Sequence, residues 1–275
     1  MIEDTDNLIN DRRLYLPQDE SGKILNPADI SHISNEDKKS LIVIADVYMT
    51  FLSDNLHSLY VRGTSVRESN YKPLDIDTFA VTNTPISRDE RVELNKRLSK
   101  SLPTLGTRID DSTIDLSSLN MANKIGYYRC FEMKTQSLCI HGNDLSVGLP
   151  DFYVSRELAY MLLDDIPLGT EKTLKKLALT TASDEKIIII SKQMKRALRG
   201  SHLLILDKVG RFSRDVETCA EDLISAYPEQ STLLEYFLNG AVGLSIDFTN
   251  ARMLLEQFST WYSSEYNLFL KKGYQ

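Results

Sequence analysis

The segment Leu74-Asp75-Ile76-Asp77-Thr78-Phe79-Ala80-Val81 constrains this chain more than any other, because it sets two carboxylates in what otherwise reads as a buried strand. Successive side chains of a strand face opposite ways, so Asp75 and Asp77 share one face while Leu74, Ile76 and Thr78 share the other. Neighbouring carboxylates repel and resist burial unless a cation joins them. Mg²⁺ meets that need: it takes hard oxygen ligands, keeps several waters and binds phosphates through one or two carboxylates. Taken alone, Asp-x-Asp also suits an edge strand whose polar face is solvated. Just upstream, the apolar run Leu59-Tyr60-Val61 predicts a strand ending in the small-residue turn Gly63-Thr64-Ser65. Glycine lets backbone approach a polyphosphate, the turn N–H groups donate to its oxygens, and either Thr64 or Ser65 supplies a hydroxyl. Arg67 adds a cation.

At 275 residues and 42% hydrophobic content, the chain can build one large core or two moderate ones. No apolar run has the length of a membrane span, and the opening MIEDTDNLINDRRL is acidic where a signal peptide is basic and then apolar. A soluble, cytoplasmic protein with no membrane partner is expected. Cys130, Cys139 and Cys219 are scattered without metal-ligand spacing and are expected as buried small hydrophobes. The net charge of −7 excludes a general nucleic-acid coat, but it is unevenly spread. Residues 171–214 hold eleven Lys and Arg against four Asp and Glu, a local +7 that leaves −14 elsewhere. This is either a solvated helix face or a counter-charge for a polyanion.

Periodicity and capping divide the chain into an irregular arm over 1–33, an α/β domain over 34–150 and a helical domain over 151–275. Ser34, with Asp37 three residues on, predicts a helix start, and the run Leu41 to Leu52 has helical spacing. Ser87 and Glu90 open a second amphipathic helix. Strands are predicted over 58–62, 74–82, 112–119 and 137–142. Beyond Pro150 helical patterns dominate, with Ser155 and Ser213 as expected N-caps. Trp261, Tyr262, Tyr266 and Phe269 follow helical spacing and read as packing.

A Gly-Ser-like turn after a strand, followed by Asp-x-Asp on the next strand, resembles the signature of the DNA polymerase β-like nucleotidyltransferase superfamily. The stretch Lys195 to Gly243, then Ala251 to Tyr262, is similar to the helical domain of the streptomycin/spectinomycin adenylyltransferases. Arg196 matches their helix-opening basic residue and Arg214-Asp215 their basic-Asp pair, whereas Ala241 stands where they have tyrosine. The resemblance implies an α+β fold: a mixed-sheet nucleotidyltransferase domain with flanking helices, followed by an all-α helical domain. It implies Mg²⁺ as cofactor, held by Asp75, Asp77 and a third acid on a later strand. Asp115 is the expected third acid and general base, with Glu132 behind it; Asp110 and Asp111 read as a turn. The nucleotide contacts implied are Gly63, Thr64, Ser65 and Arg67, joined by Lys195, Arg196 and Arg214 from the helical domain.

The implied reaction is transfer of a nucleoside monophosphate from a nucleoside triphosphate, ATP being the expected donor, to an acceptor hydroxyl. The acceptor is an aminoglycoside-like small molecule, which would make the protein an antibiotic-resistance enzyme, or alternatively a tRNA end or partner protein. A non-catalytic nucleotide sensor is the non-enzymatic alternative. Arg196 and His202 also fall within the Arg-x(4–6)-His spacing of small helical RNases.

Overall fold

Ser34 accepts a hydrogen bond from the Asp37 N–H at 3.0 Å and starts α1, Asn35–Leu52. The computed structural model describes residues 14–67, 75–101, 108–243 and 248–273. Ser87 and Glu90 form a reciprocal capping box, Ser87 N–H to the Glu90 carboxylate at 2.7 Å and Glu90 N–H to the Ser87 hydroxyl at 3.2 Å. That box starts α2, Arg88–Ser101. The chain forms two compact units, one of residues Leu16–Tyr153 and one of Val154–Gln275 joined by the N-terminal residues through Tyr15.

The first unit is α+β. Its strands β1 (Leu56–Arg62), β2 (Asp75–Thr82), β3 (Arg108–Asp115) and β4 (Ser137–Gly142) form one mixed sheet in the order β3-β2-β1-β4. β1 runs antiparallel to both β2 and β4, whereas β2 and β3 are parallel and joined through α2. On one face Ile44, Tyr48, Leu59, Val61, Ile76, Ala80 and Leu94 are buried together. On the other, Tyr60, Phe79 and Val81 pack with Met133 of α3, Lys124–Gln136. Each aliphatic taken from water contributes about 1.5–3 kcal/mol, so these layers fix β1 and β2. The arm over 16–33 is seated on this unit: Leu16, Ile24 and Ile33 are buried, and Ile24 N–H donates to the Phe152 carbonyl at 2.8 Å.

The second unit is helical: α4 (Arg156–Leu162), α5 (Ile166–Leu179), α6 (Ser183–His202), α7 (Leu206–Val209), α8 (Val216–Ala226), α9 (Ser231–Ala241) and α10 (Phe248–Lys271). Ser155 caps α4 as expected. At α8 the cap is Asp215, which accepts from Thr218 N–H at 2.9 Å; the expected Ser213 instead donates to the Leu14 carbonyl. Trp261 meets Tyr227 and Phe258 edge-on, and Tyr262 is buried, so the aromatic stripe is packing. Cys130 and Cys219 are buried free thiols, and burial pushes Cys219 up to about 12. No helix among the described residues is long and apolar enough to cross a membrane.

Candidate active site

β1 and β2 bring the Gly63 turn against Asp77. Arg62, the last residue of β1, is the cross-strand partner of Asp77, and the chain then turns with Gly63 at φ +86°. A Cβ on Gly63 would lie 2.5 Å from Asp77 Oδ2, so both this φ and this approach require glycine. The turn continues as a 3-10 segment, Gly63–Val66, closed by Arg67 in extended backbone. Its two hydroxyls differ. Ser65 is buried and donates to the Arg62 carbonyl at 3.3 Å, whereas Thr64 is only half-buried. Thr64 therefore presents the accessible hydroxyl of the pair.

The register settles which acid of β3 stands beside this point. Asp77 pairs with Asp110, and Asp115 pairs with Thr82, five positions and roughly 16 Å further along the strand. The structure thus does not bring the expected third carboxylate, Asp115, to Asp75 and Asp77. Its oxygens accept from the Ser117 and Ser118 hydroxyls, which hold its carboxyl below the usual range. Asp110, expected in a turn, lies in the strand because β3 begins at Arg108, ahead of its apolar half. Only the backbone is described at Asp75 and Asp110. By backbone register Asp75 and Asp77 of β2 lie in the same stretch of the sheet as Asp110 of β3, the partner of Asp77, and all three are carboxylate residue types. That is hard-ligand chemistry suited to Mg²⁺.

Glu132, the second candidate for third acid, is spent elsewhere. It is 4% exposed, forms an ion pair with Arg62, and accepts from Arg129 Nη1 and Tyr128 Oη, both at 3.1 Å.

In the helical unit, Lys195 and Arg196 lie half-buried on α6 and Arg214 lies half-buried just before α8. Arg196 is clasped by Asp164 through both Nε and Nη2, and a Cβ on Gly169 would lie 2.3 Å from Arg196 Nη1. Burial pushes the Asp164 carboxyl up, but the Arg196 hydrogen bond and charge, with Arg214 behind them, outweigh it and leave it below the ordinary carboxylate value. A depressed carboxyl stabilises the fold fully above its ordinary value and loses that contribution as pH falls through the folded value. With side-chain exposures of 40% and 45%, solvent screening limits the clasp. Arg196→Gln is therefore expected to cost about 1 kcal/mol at pH 7 and progressively less as pH falls below the ordinary carboxylate range, measured by denaturant unfolding across that range. His202 is completely buried and its Nε2 lies 2.8 Å from the Asp222 carboxylate, so the RNase spacing places no exposed histidine beside Arg196.

No protein-family model matches this sequence, and no curated protein matches it. Among solved structures the fold is similar to spectinomycin adenyltransferase AAD(9) from Enterococcus faecialis, determined with ATP and spectinomycin. The TM-score is 0.55 at 15% identity, over 82% of this chain and 99% of that one.

Proposed function

We propose that this chain is a Mg²⁺-dependent nucleotidyltransferase that moves a nucleoside monophosphate, with ATP as the expected donor, onto the hydroxyl of a small cationic acceptor. The observation that carries the proposal is the seating of Gly63 against the Asp77 carboxylate, with Asp110 as the next strand's partner of Asp77. A fold similar to that of an adenyltransferase solved with ATP and spectinomycin supports the chemistry and the acceptor class.

In this reading Asp75, Asp77 and Asp110 would hold the Mg²⁺, which when bound screens the triphosphate and steadies the attacking and leaving oxygens. The Gly63–Ser65 N–H groups and the Thr64 hydroxyl bind phosphate oxygens, and Arg67 adds charge. The acceptor oxygen forms a bond to the α-phosphorus while the α–β bridging bond breaks, and pyrophosphate leaves with the bonding electron pair. The acceptor proton is proposed to pass to Asp110, a reading supported by its place as the β3 backbone partner of Asp77. Positioning and charge neutralisation supply most of the acceleration.

The test is transfer of label from each α-³²P nucleoside triphosphate, with Mg²⁺, to aminoglycosides, bulk tRNA or cell lysate. Wild type and Asp115→Asn are expected to transfer label, and Asp110→Asn to lose about a thousandfold, or ~4 kcal/mol of transition-state stabilisation. Loss in Asp115→Asn with activity kept in Asp110→Asn would reverse the register assignment. No label in any reaction would sink the transfer reading.

A further inference from the structure

We propose that the N-terminal arm braces the Gly63–Val66 turn, and that His32 is the positioning residue of that brace. The inference rests on the nucleotidyltransferase reading, in which this turn binds the triphosphate. The two ends of the turn are held differently. At its start the backbone is fixed by strand pairing, with Arg62 between Asp77 of β2 and Ser137 of β4, and the Ser65 hydroxyl donates back to the Arg62 carbonyl. Strand β1 ends at Arg62, so this pairing does not reach Val66. The Val66 carbonyl is taken by the arm instead: the Asp29 N–H donates to it at 2.8 Å, and His32 Nδ1 lies 3.1 Å from it. A carbonyl oxygen only accepts, so Nδ1 carries the proton and both lone pairs of this oxygen are engaged.

The arm is built to present these two donors. Asp29 caps a 3-10 turn, Ile30–His32, its carboxylate accepting from the Ser31 N–H at 2.7 Å. Positions i and i+3 of such a turn eclipse, which sets His32 over Asp29 and lets both reach one oxygen. Ile33, the next residue, is buried in the same apolar cluster as Val66, so packing holds the two segments together. Upstream, Asn26 Nδ2 donates at 2.7 Å to the carbonyl of Ser137, the β4 partner of Arg62. The arm thus runs from the sheet end that starts the turn to the carbonyl that finishes it. Because a peptide unit is planar, holding the Val66 oxygen fixes the plane in which the chain continues into Arg67. A tilt of that plane shifts the backbone donors of the turn relative to a bound phosphate, where small displacements are costly. His32 itself is exposed, so its imidazole supplies direction to the turn and little to the core.

Calorimetric titration of the full chain with Mg²⁺ and ATP, GTP, CTP or UTP, beside the urea midpoint, tests this without turnover. His32→Ala removes the donor and is expected to weaken binding of the preferred triphosphate about fivefold, with the midpoint near that of wild type. His32→Asn returns an N–H donor close to the place of Nδ1 and is expected to bind within about twofold of wild type. A His32 that only supports the fold would lower the midpoint of His32→Ala and leave its affinity unchanged, which overturns the proposal. Equal loss of affinity in His32→Ala and His32→Asn overturns it too, because the effect would then belong to the ring and not to the hydrogen bond. A wild type that binds none of the triphosphates overturns the nucleotidyltransferase reading, and the brace with it.

Discussion

Asp77→Asn is expected to slow nucleotidyl transfer by about a thousandfold or more, the largest loss of any single conservative change in the first unit. The substitution preserves shape but removes the negative charge on which the proposed metal binding depends. It leaves the buried partners of β2, Ile76, Phe79 and Ala80, untouched, so the melting temperature should stay within a few degrees of wild type. Single-turnover rates, with Mn²⁺ binding measured in parallel, check both halves of the expectation. A variant that transfers label within tenfold of wild type would mean that this carboxylate does not carry the reaction.

Gly63→Ala is the second large effect, and it acts through geometry. The backbone at φ +86° disfavours any Cβ, and the added methyl would fall 2.5 Å from Asp77 Oδ2. Either the turn or the carboxylate must move. A displacement near 1 Å at a reacting centre costs about a hundredfold in rate, and the strained backbone costs about 1–3 kcal/mol in stability. Turnover measured beside the urea midpoint should therefore show both losses together. Wild-type turnover in this variant would separate the glycine from the chemistry.

These expectations show what was legible before the fold. The capping pairs at Ser34 and Ser87 are local signals, complete within four residues, and both helices start where they say. Strand β4 over 137–142 and the alternation that sets Asp75 and Asp77 at same-face positions of β2 are equally local. The third acid was not legible, because strand register is a long-range property. Asp110-Asp111 has the composition of a turn, and only parallel pairing with β2 puts Asp110 beside Asp77. The one usable sign was that a strand containing Ile109 and Ile114 admits Asp110 as readily as Asp115. Partners remote in sequence were hidden for the same reason: Asp164 for Arg196, Glu132 for Arg62 and Asp222 for His202. The choice between Thr64 and Ser65 waited on the 3-10 turn, which buries one hydroxyl and leaves the other accessible.

Tyr15 belongs to the helical unit although the next residue, Leu16, belongs to the other, so the backbone passes between the units twice, at 15–16 and again at 153–154. The helical unit is consequently not a contiguous gene fragment. Expressed from residue 154 alone, it would lack the Tyr15 hydroxyl that donates to Asp222 and the Leu14 carbonyl that Ser213 caps, leaving the buried His202–Asp222 pair short of one partner. A single proteolytic cut at 15–16 would leave residues 16–153 and 154–275 covalently joined, whereas a cut at 153–154 would free residues 154–275 from the chain that carries the sheet, and a circular permutant opened at 15–16 would turn the second crossing into the sole tether.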